Sequence, residues 1–173
     1  MPRAPYLWGS LTGFGLAVAL VAAAIDQASK YYLLHIYDLP SRGQVPVMPF
    51  LDVVFVRNFG ISYGLFQQEG AAGQWALLAI KVAAVIVLWV WLARAGSRLT
   101  ALALGLIVGG ALGNAVDRLL NGWVTDFVLF YAASGTWRFN WYVFNLADVA
   151  IVAGVVGLLY ESAFRAPAAR PMP

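Results

Sequence analysis

The sequence predicts an all-α membrane protein in which four transmembrane helices carry a small β-structure on their outer face. Of the 173 residues, 62% are hydrophobic and 11% are charged, whereas soluble domains carry about 25% charged residues. A domain of this size cannot hide so much apolar surface from water, which indicates lipid as a second solvent. The apolar residues also form four long runs, and segments of strand-like composition lie between them.

Each of the four runs is close to the ~20 residues that a helix needs to cross a bilayer. They extend over about 7–28, 75–93, 99–120 and 142–164 of a single membrane domain, 1–173. The first run is expected to remain as a helix. Its alanines at 22–24 resemble a signal-peptide cleavage site, but the region before them carries little positive charge.

Basic residues beside the runs predict the orientation, because Lys and Arg next to transmembrane helices concentrate on the cytoplasmic side. Here they lie at the two termini and in the short connection between the second and third runs, at Arg3, Arg94, Arg98, Arg165 and Arg170. The other side carries Arg42, Arg57 and Arg138, which are spread over much longer loops. We therefore expect both termini in the cytoplasm. The loops at about 31–73 and 121–141 then face outward.

The outward loops have the composition of strands. Residues 45–57 (VPVMPFLDVVFVR) and 123–131 (WVTDFVLFY) are rich in β-branched and aromatic side chains, and the two prolines of the first segment suit only edges or bends. We expect a small sheet or strand pair on the membrane surface. The aromatic side chains that follow fit an interfacial belt: Trp137, Phe139, Trp141 and Tyr142.

The third run contains a ridge of small residues. Gly105, Gly109 and Gly113 recur every four residues and so share one helix face. Such a ridge allows close approach of a neighbouring helix, either within the chain or in a second copy.

Composition restricts the chemistry. The chain has no cysteine and a single histidine, His35, which excludes thiolate nucleophiles and leaves no basis for a His-rich metal site. Residues 60–64 match G-x-S-x-G, but no histidine follows them, so the match is attributed to chance. A net charge of +3 with scattered basic residues does not suggest nucleic-acid binding. Any hydrolysis must therefore rest on carboxylates.

Polar residues gather at the outer ends of the runs: Asp26, Lys30, Asn114, Asp117, Arg118, Asp126, Asn145 and Asp148. Charges near hydrocarbon are costly, so each is a functional candidate, with structural pairing as the alternative. Asp26 and Lys30 are four residues apart, and this spacing suits either a functional role or a structural ion pair. For Asp117, the adjacent Arg118 favours structural pairing.

Asp126 and Asp148 have no basic neighbour in the sequence. If the loop folds back, the two carboxylates face each other and one of them keeps a proton. An aspartyl protease needs this arrangement, since one group deprotonates water and the other protonates the carbonyl.

The chain resembles the lipoprotein signal peptidase (signal peptidase II) family in five blocks that occur in the family's order. They are DQASK (26–30), NFGISYG (58–64), GGALGNAVDR (109–118), VTDF (124–127) and FNLAD (144–148). Only residues 61–63 of the second block depart from the family's usual pattern. The resemblance implies Asp126 and Asp148 as the catalytic pair. It implies supporting roles for Asp26, Lys30, Asn58, Gly60, Asn114, Asp117, Arg118 and Asn145.

The resemblance further implies a four-helix protease of the bacterial inner membrane with a surface β-cradle and an outward-facing active site. Its substrates would be diacylglyceryl-modified prolipoproteins, cut just before the lipidated cysteine, and globomycin-type cyclic peptides would inhibit it. No metal or cofactor is implied. Two other functions remain as alternatives, a small ion- or proton-coupled transporter and a structural protein whose acids only pair with Lys30, Arg57 and Arg118.

Overall fold

The computed structural model describes residues 7–60 and 71–164. Arg3, Arg165 and Arg170 lie outside this part of the chain, as do residues 61–64 of the second family block. The helices and strands follow in the order α1 (Thr12–Tyr31), α2 (Leu39–Arg42), β1 (Val45–Met48), β2 (Leu51–Asn58), α3 (Ala71–Ala93), α4 (Arg98–Asn121), β3 (Val124–Ser134), β4 (Trp137–Phe144) and α5 (Leu146–Phe164).

Within the described ranges, three helical segments are long and apolar enough to cross a membrane. They are Thr12–Ile36, in which a π-helical turn continues α1, Arg98–Asn121 and Leu146–Phe164. In α3 the shorter stretch Val82–Ala93 is apolar. The outer faces of α1 and α5 expose large apolar side chains, as expected of helices in contact with lipid: Leu20, Val21, Val152, Val156 and Leu159.

Helix α4 lies between α1 and α5, and its glycines explain how closely the three helices pack. A Cβ atom at Gly105 would lie 2.5 Å from the carbonyl oxygen of Gly15, and one at Gly109 would lie 2.5 Å from that of Ala19. On the side of α5, a Cβ at Gly110 would clash with the carbonyl oxygen of Ala147. The glycine ridge predicted from the sequence therefore packs within the chain.

The four strands form one antiparallel sheet in the order β1-β2-β3-β4, so the predicted sheet is present. Strands β2 and β3 are distant in sequence but pair through Asn58↔Val124 and Val56↔Asp126. Pro46 lies in the edge strand β1, where its missing N–H is tolerated. The pairing of β2 with β3 brings the two predicted loops together at one end of the helices.

The fourth apolar run is divided between a strand and a helix. Residues 142–144 pair in β4, and α5 begins only at Leu146. Asn145 separates them by capping α5: its Oδ1 accepts from the backbone N–H of Asp148 at 3.1 Å, and Asp148 Oδ2 accepts from the N–H of Asn145 at 3.3 Å. This reciprocal pair satisfies backbone donors at the helix start and places Asp148 in the first turn.

At the other end of the helices, a polar cluster joins α4 to α5. Ser97 caps α4 by accepting from the N–H of Thr100 at 3.0 Å. Both hydroxyls donate to the carboxylate of Glu161 near the end of α5. The cluster therefore fixes the end of the helices that is remote from the sheet.

Candidate active site

The residues singled out from the sequence come together where the sheet meets the ends of three helices. Their side chains are buried except that of Asp148, which is half-buried. They are Asp26 and Lys30 of α1, Asn58 and Gly60 at the end of β2, Asn114, Asp117 and Arg118 of α4, Asp126 of β3, and Asn145 and Asp148 at the start of α5.

Asp126 is held by two amide side chains from different elements. Asn145 Nδ2 donates to its Oδ1 at 2.6 Å, and Asn58 Nδ2 donates to its Oδ2 at 2.9 Å. Burial, with 2% of the residue exposed, and the nearby charge of Asp148 raise the pKa of Asp126 to about 7. The two amide bonds oppose this rise because they favour the ionised form. Asp126 can therefore carry a proton near neutral pH.

Asp148 lies at the N-terminus of α5 and has a different environment. Asn114 Nδ2 donates to its Oδ1 at 3.1 Å, and the N–H of Asn145 bonds to its Oδ2. The positive end of the helix dipole favours a negative charge in the first turn. Asn145 bonds to both aspartates, so it links the pair directly.

Lys30 forms the charged centre of the cluster. Its Nζ lies 2.8 Å from Asp26 Oδ2 and 3.0 Å from Asp117 Oδ2, and it donates to Asn114 Oδ1 at 3.2 Å. The expected pairing of Asp26 with Lys30 is present. For Asp117, however, the ion pair is made by Lys30 from another helix, and adjacency in sequence did not reveal it.

Arg118 donates to the carbonyl oxygen of Gly60. The backbone N–H of Gly60 donates in turn to Asn58 Oδ1 at 2.9 Å. Because that oxygen is occupied, the Nδ2 of Asn58 faces Asp126. The chain just after β2 is therefore tied to both α4 and the aspartate pair.

Sequence reasoning missed Gln27. Its Nε2 donates to Asp117 Oδ1 at 2.8 Å and to the carbonyl oxygen of Gly113 at 3.0 Å. Gln27 lies inside the DQASK block, three residues before Lys30, so it shares a helix face with that lysine. This spacing was the available signal.

Two other sequence features remain apart from the cluster or undescribed. Ser62, the serine of G-x-S-x-G, lies outside the described residues. His35 is exposed in the π-helical turn, where its ring centroid lies 4.9 Å from that of Tyr31. In the described part of the chain, no group of three or more His, Cys, Asp or Glu side chains is placed to hold a metal ion.

A groove of about 390 Å³ adjoins Asp148. Its other walls are apolar and come from β3, β4 and α5: Phe130, Trp141, Phe144, Val149, Val152 and Ala153. An apolar groove with a carboxylate at one end suits a ligand that is largely hydrophobic and polar only where it meets Asp148.

The sequence profile described as signal peptidase (SPase) II matches residues 18–164. The chain belongs to the signal peptidase II family. Relatives named lipoprotein signal peptidase are 53% identical in Nitrobacter hamburgensis, over 90% of this chain and 95% of the relative, and 57% identical in Methylorubrum extorquens, over 90% and 88%. As a signal peptidase II the chain is a protease that removes signal peptides, and the transporter alternative is not supported.

Two solved structures described as bacterial membrane enzymes have the fold of this signal peptidase. They superpose with TM-scores of 0.70 and 0.71, and each is 24% identical to this chain. The alignments cover 91% and 89% of this chain and 94% and 95% of the other two. The likeness shows the fold, and the three long apolar helices make the chain a multi-pass membrane protein.

Proposed function

We propose that the chain is an aspartyl protease in which Asp126 and Asp148 cleave the signal peptides of prolipoproteins just before a diacylglyceryl-modified cysteine. The observation that carries this proposal is the bonding of both aspartates to Asn145. One aspartate is buried with its pKa raised to about 7, and the other is half-buried at a helix N-terminus. Two carboxylates in such different environments can act as general acid and general base, respectively.

In the proposed mechanism Asp148 is the base and Asp126 the acid. Asp148 takes a proton from water as the water oxygen attacks the scissile carbonyl carbon, and Asp126 protonates the carbonyl oxygen, which gives a neutral diol. Asp148 then passes its proton to the leaving nitrogen and the C–N bond breaks. A diol hydroxyl returns a proton to Asp126, so both aspartates regain their starting states.

The groove beside Asp148 supports a lipid-modified substrate. It extends from the carboxylate along α5 through Val149 and Val152, both exposed on a helix of transmembrane length. A diacylated precursor would enter from the lipid and bring its cysteine to Asp148. Globomycin-type peptides, which the family resemblance implies as inhibitors, would occupy the space between the two aspartates.

The pairing of β2 with β3 supports four membrane crossings. Both strands must lie on one side of the membrane, so the chain between them crosses an even number of times. If α4 crosses, α3 must cross as well, and its 23 residues reach about 35 Å at 1.5 Å per residue. Helices α1 and α5 then lead to termini on the side opposite the sheet. The positive charge of Arg94 and Arg98 supports a cytoplasmic location for that side, in a bacterial inner membrane.

Cleavage of a diacylated prolipoprotein in detergent tests the proposal. Asp126→Asn and Asp148→Asn should each lower kcat by about 10²–10⁴-fold, the usual contribution of a general acid or base. Each variant also turns an NH₂ group towards an amide donor, so its melting temperature should fall modestly.

Asp52→Asn is the matched control. Asp52 lies in the sheet and is as buried as Asp126. It pairs with Arg138 at 3.0 Å and, among the described residues, makes no hydrogen bond or ion pair with either aspartate of the pair. Its replacement should lower the melting temperature and leave kcat within about twofold of the wild type. Normal cleavage by either variant of the aspartate pair would refute the aspartyl mechanism.

A further inference from the structure

Each aspartate of the pair directly follows a residue whose backbone N–H donates to a carboxylate on a different secondary-structure element. Asp26 Oδ1 accepts from the N–H of Ala147 at 3.0 Å. Asp117 Oδ2 accepts from the N–H of Thr125 at 2.8 Å. The backbone positions of Asp148 and Asp126 therefore depend on Asp26 and Asp117, respectively.

These two carboxylates are themselves joined by two bridges. Lys30 bonds to Asp26 and Asp117 through Oδ2 of each. Gln27 Nε2 forms the second bridge, at 2.8 Å from Asp117 Oδ1 and 3.3 Å from Asp26 Oδ2. A third acceptor, the carbonyl oxygen of Gly113 at 3.0 Å, ties this amide to α4. The two amide hydrogens are thus shared among three acceptors, and the contact with Asp26 is the longest of the three.

The two bridges differ in how strongly they fix the orientation of the carboxylates. The ammonium of Lys30 is a compact charge with three rotatable donors, so by itself it leaves the orientation of a carboxylate open. Gln27 occupies Oδ1 of Asp117, which leaves Oδ2 for Thr125 and Lys30. Gln27 also supplies a donor between two carboxylates that would otherwise share only one cation.

We propose that Gln27 is a positioning residue that sets the spacing of Asp126 and Asp148 through Asp117 and Asp26. The inference rests on the aspartyl mechanism proposed above. Its effect should appear in the chemical step and not in substrate binding, because Gln27 acts on the positions of the reacting carboxylates. A misplacement of about 1 Å can cost on the order of 10²-fold in rate.

Gln27→Met tests this inference, since it keeps the length of the side chain and removes the donors. With a diacylated prolipoprotein in detergent, kcat should fall about tenfold while KM stays unchanged. Hydrogen exchange of the backbone amides of Thr125 and Ala147 should accelerate. Should this variant fail to fold, Gln27→Asn replaces it, with the same expected direction because the shorter amide cannot span both carboxylates.

Ser29→Ala is the matched control on the same helix. Ser29 donates to the carbonyl oxygen of Asp26 at 2.7 Å, so its loss removes one polar contact of α1 and no bridge between the carboxylates. It should leave kcat and the exchange of Thr125 and Ala147 unchanged. A wild-type kcat for Gln27→Met, or an equal loss in the control, would overturn the role of Gln27. Inactivity of the wild type would instead refute the proposed function.

Discussion

At the scale of single residues, the amide side chains of the site have fixed orientations. Asn114 Oδ1 accepts from Lys30 and from Asn145 Nδ2 at 3.1 Å, so its Nδ2 must face Asp148. Asn145 Oδ1 accepts from a backbone N–H, so its Nδ2 must face Asp126. Donors therefore point at both aspartates before substrate arrives, which is the preorganisation that lowers the cost of charge movement during reaction.

The pH dependence of cleavage follows from the state of Asp126. Burial raises its pKa to about 7, so it holds a proton below that pH and loses it as the pH rises further. We expect kcat/KM to fall as the pH rises through about 7, because the proposed acid is then ionised. Initial rates measured from about pH 5 to about pH 9 would show this decrease in kcat/KM.

The Asp52→Asn variant should show the same decrease in kcat/KM with rising pH, since Asp52 belongs to the separate contact with Arg138. A value of kcat/KM that keeps rising across that range would assign the transferred proton to another group.

At the scale of elements, the site depends on how closely α1 approaches α4. The glycine ridge leaves room for the backbone of α1, and its last member, Gly113, makes room for the carboxylate of Asp26: a Cβ there would lie 2.5 Å from Oδ2. Small residues of this kind let van der Waals packing and polar contacts form between helices in lipid. The ridge therefore brings Asp26 and Lys30 within reach of α4.

Gly109→Ala tests this packing. The added Cβ would meet the backbone oxygen of Ala19 at 2.5 Å, and backbone cannot rotate away as a side chain can. We expect a loss of about 1–3 kcal/mol in stability, measured as a lower melting temperature in detergent. Gly13→Ala is the control, because a Cβ there meets nothing within 4 Å; its melting temperature should stay the same or rise. Equal melting of the two variants would contradict the proposed role of the ridge.

At the scale of the whole molecule, the sheet and the Ser97–Glu161 cluster lie at opposite ends of the helices. The polar residues of the candidate site lie at the sheet end, and the turn between α3 and α4 lies at the other end. The proposed topology assigns these ends to opposite sides of the membrane.

Single cysteines test the topology, because the chain has none of its own. Ser134→Cys in the exposed end of β3 should react with a membrane-impermeant thiol reagent on intact spheroplasts. Gly96→Cys, in the exposed turn between α3 and α4, should react only after permeabilisation. Labelling of both from the same side would show that α4 does not separate them.

The sequence by itself indicated lipid as a solvent, the sheet and the family, and it named the polar residues that the fold brings together in the candidate site. The composition and the apolar runs indicated lipid, because a helix that crosses a bilayer must be long and largely uncharged. The aspartates and their supporting residues stand in blocks specific enough to show the family. Spacing of three or four residues also predicted the local pair of Asp26 and Lys30, because such residues share a helix face.

Only the tertiary structure decided which distant groups meet. The pairing of Lys30 with Asp117, the bridge made by Gln27 and the bond from Arg118 to Gly60 join elements far apart in sequence. Local periodicity specifies the face on which a side chain lies but not the helix that packs against it. That choice is made by the contact of glycines with neighbouring backbone and by the register of β2 with β3, and both exist only in the folded chain.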